Sequence, residues 1–224
     1  MAHLRKVRVE LPAVDQALMI SMPADFDSLL DLAQDDPEQN LPYWAELWPS
    51  GIALAAFILR HPRSLRGVQA IELGCGLGVT AIAAVRRGLD LLATDYALEA
   101  LELCALNCSS NGGAVPALRQ LNWRRPDLDV QSFSTGGAPL LLAADALYEE
   151  RDIEPLLHLV QENLSADGEL WLAEPGRRPA ARFVERLAAL GWRSTKTTFD
   201  GPWPDPEDNR KGVVVTVHRL ARPV

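Results

Sequence analysis

"IELGCGLGVT", residues 71 to 80, decides the fold. An apolar run ends at Leu73, and Gly74, Gly76 and Gly78 then stand at every second position. Glycine weakens a strand or helix by roughly 0.5–1 kcal/mol relative to alanine, so this spacing marks a chain that turns where a Cβ does not fit. The plain reading is a turn from a strand into a helix. The further reading is a ligand lying close against the backbone.

The pattern repeats outward from that turn. "VQAIELG" reads as a buried strand and "VTAIAAVRRG" as a helix stopped by Gly88. "LLATD" is the next strand, and "ALEALELCALNCSSNG" the next helix, closed by Asn111-Gly112. "AVPALRQLN" reads as a third strand and "APLLLAADALY" as a fourth. "EPLLHLVQENLSADG" is a helix with Gly168 as its stop, followed by the strand "ELWLAEP". "PAARFVERLAALG" is a helix from Pro179 to Gly191. "RSTKTTFD" and "GVVVTVHRL" form a closing pair joined by the polar, Pro-rich loop "GPWPDPEDNRKG". Alternating strands and helices predict an α/β fold with a doubly wound, mostly parallel sheet. No helix separates the closing pair, so it is expected to be antiparallel at one edge.

Residues 1–65 break the alternation and read as an N-terminal extension on a core spanning 66–224, within one domain overall. The extension is expected to hold a strand or hairpin around residues 5 to 21, a loosely helical acidic stretch, and a helix from Ser50 to about His61. Its carboxylates run from Glu10 to Glu46 with no Lys or Arg between Arg8 and Arg60. That face is either solvated or attractive to a cationic partner. The net charge of −8 argues against nucleic acid, whose phosphates call for a basic surface. The longest clean apolar run, residues 52–59, is too short for a membrane span. The N-terminal residues have no apolar run of signal-peptide length, and three cysteines suit a reducing compartment, so the expected location is cytoplasmic. Cys104 and Cys108 lie one helical turn apart without further ligands, so no metal is expected. The four histidines are scattered, and no Ser-His-Asp arrangement suggests a hydrolase.

In such a sheet, ligands bind beyond the carboxyl ends of the strands. Asp95 ends the second strand, about 20 residues after the first glycine, where a carboxylate accepts from ribose hydroxyls; the alternative is a cap for the helix starting near Ala97. The dinucleotide fingerprint wants Gly or Ala where Val79 stands, which weighs against a nicotinamide-dependent oxidoreductase. Glu72 suits a ligand with a cationic end, such as an amino acid ammonium, or is a half-buried acid at a strand end.

"IELGCGLG" with Asp95 downstream resembles the first two motifs of class I, seven-β-strand, S-adenosylmethionine-dependent methyltransferases. The resemblance implies a Rossmann-like sheet with an antiparallel edge strand and S-adenosyl-L-methionine as cofactor. It places Gly74, Gly76 and Gly78 along the methionine and ribose, Glu72 at the amino-acid end and Asp95 on the ribose. "QLNWRRP" (120–126) is similar to the adenine-side motif, so Asn122 and Trp123 would flank adenine, unless Trp123 simply packs.

"PYWAELWPSG" (42–51), "DALY" (145–148) and "AEPGRRPA" (173–180) together resemble protein-lysine methyltransferases of this class, most of all the group acting on the electron-transfer flavoprotein β subunit. Ser50 replaces a glycine of that pattern, Glu174 an aspartate, and Arg178 is an extra residue before Pro179. The implied reaction methylates a lysine side chain of a protein, or the amine of a small molecule. Asp145 and Tyr148 would orient the amine or take its proton; otherwise they cap and pack. Trp44 and Trp48 would wall the pocket by cation–π attraction, with Trp48 also near the cofactor; otherwise they are a core pair. Glu174 is a second pocket carboxylate or a helix cap.

Overall fold

The computed structural model describes residues 3–33, 38, 40–124, 136–204 and 211–223. Parts of three sequence readings lie outside them: the middle of the acidic stretch, the end of "QLNWRRP", and half of the loop between the closing strands.

The sheet follows the glycine turn outward, as expected. Strands β3 (Gln69–Leu73), β4 (Asp90–Asp95), β5 (Ala117–Gln120), β6 (Ala138–Ala144) and β7 (Leu164–Glu174) run parallel. With β8 (Arg193–Phe199) and β9 (Val215–Ala221) they form a seven-stranded sheet in the order β5-β4-β3-β6-β7-β9-β8. The closing pair sits at one edge and is antiparallel. The reversed strand is β9, which slots between β7 and β8, so β8 takes the outer edge. Strand order reverses between β3 and β6, and such a switch point opens a crevice at the strands' carboxyl ends.

Period-two alternation sorts the side chains into two cores. Ala70, Leu140 and Leu142 face one apolar layer; Ile71, Leu73, Leu141 and Ala143 face the other. The first layer holds helices α2 (Pro49–Arg60), α3 (Val79–Arg86) and α4 (Leu98–Ser110). The second holds α5 (Ile153–Asn163) and α6 (Arg178–Ala189). Arg87 closes α2 by donating to the carbonyls of Leu59, His61 and Arg63 at 2.7 to 3.0 Å.

The N-terminal residues form the expected hairpin, β1 (Leu4–Glu10) and β2 (Ala17–Pro23), and then a short helix α1 (Asp27–Ala33). Leu18 and Ile20 are fully buried in the first layer. Two asparagines one turn apart, Asn107 on α4 and Asn111 at its C-terminal cap, pair with alternate residues of β2 as a neighbouring strand would. Asn107 accepts from Ser21 N–H and donates to its carbonyl; Asn111 does the same for Met19.

One boundary differs from expectation. The fourth helix pattern stops at Asn163, not Gly168, and Leu164 already belongs to β7. Leu164 pairs with Ala138 beside a register shift that absorbs Ser165–Gly168, and Arg222 donates to the carbonyls of Gln161 and Leu164. Tertiary pairing overrides the glycine as a stop signal.

Candidate active site

The carboxyl ends of β3, β4 and β6 meet the segment Tyr43–Gly51 around an open cleft. The glycine turn is its floor. Gly74 and Cys75 N–H both donate to Thr94 O, tying the turn to β4. All three glycines have positive φ, which side-chain-bearing residues rarely adopt. A Cβ on Gly76 would stand 3.2 Å from the Trp44 carbonyl oxygen. Gly78 departs from expectation: it does not line the cleft. A Cβ there would stand 2.9 Å from Cys104 Cα and Sγ, so this glycine lets α4 approach the turn. Below the turn lie three buried thiols, Cys75, Cys104 and Cys108.

Asp95 lines the cleft and also supports the start of α4, the cap reading. Its Oδ2 accepts from Gly76 N–H at 2.9 Å and its Oδ1 from Ala97 N–H at 3.1 Å, while the side chain lines the cleft. Burial pushes its carboxyl up to about 6, against the lowering effect of those N–H groups and that of Tyr96. Glu72 is 2% exposed, lines the same cleft, and keeps one oxygen, Oε2, without a partner. Burial, with Cys108 and Asp95 nearby, holds it well above the usual carboxylate range. A buried carboxyl oxygen left unpaired costs about 1–3 kcal/mol, and a ligand cation relieves that cost.

Trp123 packs over Gly74, where a Cβ would come within 3.4 Å of the ring, and lines the cleft. Arg124 holds this loop by a two-pronged bond to the fully buried Asp152. Asn122 does not line the cleft; its amide donates to Glu38 at 2.7 Å. Together the orphaned Glu72 oxygen, the Asp95 carboxylate and the Trp123 ring fit the ammonium, ribose and adenine of S-adenosylmethionine.

A second cleft opens beside the first. The two share Tyr43, Trp48, Asp145 and Tyr148. Tyr43 stands edge-on to both Trp48 and Tyr148, with ring centroids 5.8 and 5.3 Å apart, and its carbonyl accepts from Trp48 Nε1. Burial, with the Asp152 charge, pushes the Tyr148 hydroxyl up, so it is protonated at neutral pH. Asp145, at the end of β6, has φ +53, a left-handed conformation that needs support. Ser50 Oγ donates to its Oδ2 at 3.2 Å and Arg177 Nε to its Oδ1 at 2.6 Å. Trp44 lines only the first cleft.

Glu174 is at neither cleft. It accepts from Gly176 N–H and lies 3.2 Å from His218 Nε2. Burial raises its carboxyl, but these bonds outweigh that and leave it below its usual value. The pocket-carboxylate reading gives way to turn support. Tyr43 and Arg177 were missed, although each stands inside a stretch singled out above. The sequence signal was their adjacency to Trp44 and to the Glu174–Gly176 turn.

The family model described as lysine methyltransferase matches residues 27–189. This chain belongs to that family. It is 32% identical over 154 residues to the electron transfer flavoprotein beta subunit lysine methyltransferase of Xenopus laevis, covering 66% of this chain and 60% of the relative. The histone-arginine methyltransferase METTL23 of Mus musculus is 26% identical over 123 residues, covering 54% and 48%. The chain thus spans about half to three-fifths of these curated relatives' lengths. Among solved structures, ribosomal protein L11 methylase from Lactobacillus delbrueckii subsp. bulgaricus superposes with a TM-score of 0.54 at 20% identity, covering 76% and 77% of the two chains. That likeness supports the fold alone. Family membership does not favour the nicotinamide-dependent alternative. Among the described residues no helix is long and apolar enough to cross a membrane.

Proposed function

We propose that this lysine methyltransferase family member transfers the methyl group of S-adenosylmethionine to the side-chain nitrogen of a lysine in a protein. One observation carries the reading: the cleft over the glycine turn and its neighbour share a wall of three aromatic rings and one carboxylate. That wall suits an alkylammonium entering from one side toward a donor held on the other.

The sulfonium supplies an activated methyl group, so the protein need not provide a covalent nucleophile. Its task is to align the amine and receive it uncharged. Lysine's ordinary pKa is about 10.4, and transfer into a site walled by Tyr43, Trp48 and Tyr148 lowers it. Asp145 attracts the cation; the ammonium proton passes to water, and the carboxylate then accepts a hydrogen bond from the neutral nitrogen. Tyr148, holding its proton, offers a hydroxyl oxygen to an amine N–H. Glu72 would hold the methionine ammonium, Asp95 the ribose and Trp123 the adenine.

The test incubates the protein with radiolabelled S-adenosylmethionine and a cell extract. Label is expected in a protein band. Label confined to the small-molecule fraction points to a small-amine acceptor, and no transfer overturns the reading. Asp145→Asn keeps the shape and removes the charge; transfer is expected to fall about 100-fold, the scale of a positioned acid–base group, with donor affinity little changed. Tyr148→Phe is expected to give a milder loss.

A further inference from the structure

Arg177 sits where a cation would be expected to arrive. Its Nε donates to Asp145 at 2.6 Å, and its guanidinium carbon lies 5.5 Å from the centroid of the Trp48 ring. A carboxylate oxygen and an aromatic face are what an alkylammonium needs as it leaves water. Both belong to the wall shared by the two clefts, and Arg177 itself lines the outer one.

Resting on the amine-methylation reading, we infer that Arg177 occupies the acceptor's own seat as a latch, which the incoming lysine side chain must displace. Exposure supports the direction of movement. The Arg177 side chain is 36% exposed and can swing into water, whereas that of Asp145 is 6% exposed and stays. Ser50 holds the other carboxylate oxygen after the arginine leaves. The backbone need not move, because Glu174 and His218 fix the turn that carries Arg177.

The latch bears on substrate class. A free small amine offers little beyond its own charge and competes poorly with a tethered guanidinium. A lysine carried on a protein brings further contacts around the cleft, and these supply the free energy of displacement. The arginine therefore selects polypeptide acceptors over loose amines.

The experiment uses n-butylammonium as a probe of the seat and needs no methyl transfer, so it succeeds or fails independently of the catalytic reading. Binding is followed by the Trp48 indole N–H signal in ¹H–¹⁵N spectra. Arg177→Ala is expected to bind the probe at least about tenfold more tightly than the wild type, a difference of about 1.4 kcal/mol. Adding Asp145→Asn to that variant abolishes the gain, and Arg177→Lys, which keeps a cation in reach, stays close to wild type. Arg177→Gln serves the same comparison if the alanine variant does not fold. Equal affinity in the wild type and the neutral variants, or a gain that survives Asp145→Asn, overturns the latch.

Discussion

At the scale of single residues, the site is built from carboxylates given different surroundings. Asp95 shares its oxygens between the turn and α4, Glu72 keeps one oxygen unpaired, and Asp145 is held between Ser50 and Arg177. Asp95 carries a pH prediction. In the free protein it takes up a proton as pH falls through about 6, and the protonated acid is a poorer acceptor for ribose hydroxyls. Cofactor affinity should therefore be retained above pH 6 and weaken below it. Titration calorimetry with S-adenosylhomocysteine from pH 5 to 8 checks the sign. Asp95→Asn should remove this step and weaken binding at least about tenfold, since a charge-assisted hydrogen bond is worth roughly 1.5–3 kcal/mol. An unchanged step in that variant would assign the titration to Glu72. Glu72, Asp95 and Asp145 were legible in the sequence because each stands within one residue of the carboxyl end of a strand. Arg177 was not. Its role depends on the side chain folding back over Trp48, which no spacing encodes.

At the scale of elements, hydrophobic periodicity marked every long helix and the inner strands β3, β4, β6 and β7, because burial on both faces leaves an apolar run that is easy to read, whereas the exposed edge strands β5 and β8 were read from their place in the alternation and the closing pair. Where two elements abut without a loop, the pattern failed. Residues 164–168 carry turn chemistry, yet Leu164 pairs with Ala138, and pairing wins. The position of β9 between β7 and β8 was equally hidden, because adjacency in sequence does not state which strand of a pair faces inward. Gly78 ties an element-level contact to one residue. Gly78→Ala brings both a left-handed alanine and a clash with α4. The two effects together should destabilise by on the order of 2–5 kcal/mol. Gly112→Ala, also at positive φ but with open space around it, isolates the backbone contribution and should lose only about 1–2 kcal/mol. Urea unfolding of both variants makes the comparison; equal losses would mean that α4 does not press on the turn.

At the scale of the whole molecule, the N-terminal segment is part of the chamber around the first cleft. Tyr43, Trp44 and Trp48 precede β3, yet they line the first cleft opposite strand ends that follow much later in the chain. The hairpin reaches the same region from behind: Asn107 bonds both Ser21 and the Leu77 carbonyl, linking β2, α4 and the glycine turn in one side chain. Under that link lie the three cysteines. At Cys75 the hydrogen bond with Cys104 lowers the thiol, but burial and the carboxylates nearby outweigh it and push the value up to about 11. Burial and a high pKa keep a thiol inert toward reagents in the closed state. A maleimide or disulfide reagent therefore reaches these sulfurs when the floor of the chamber lifts, and the labelling rate becomes a clock for that opening. Saturating S-adenosylhomocysteine, bound across the floor, should slow the clock by roughly the ratio of ligand concentration to its Kd. A rate indifferent to the ligand would mean that the sulfurs are reached by a route away from the glycine turn.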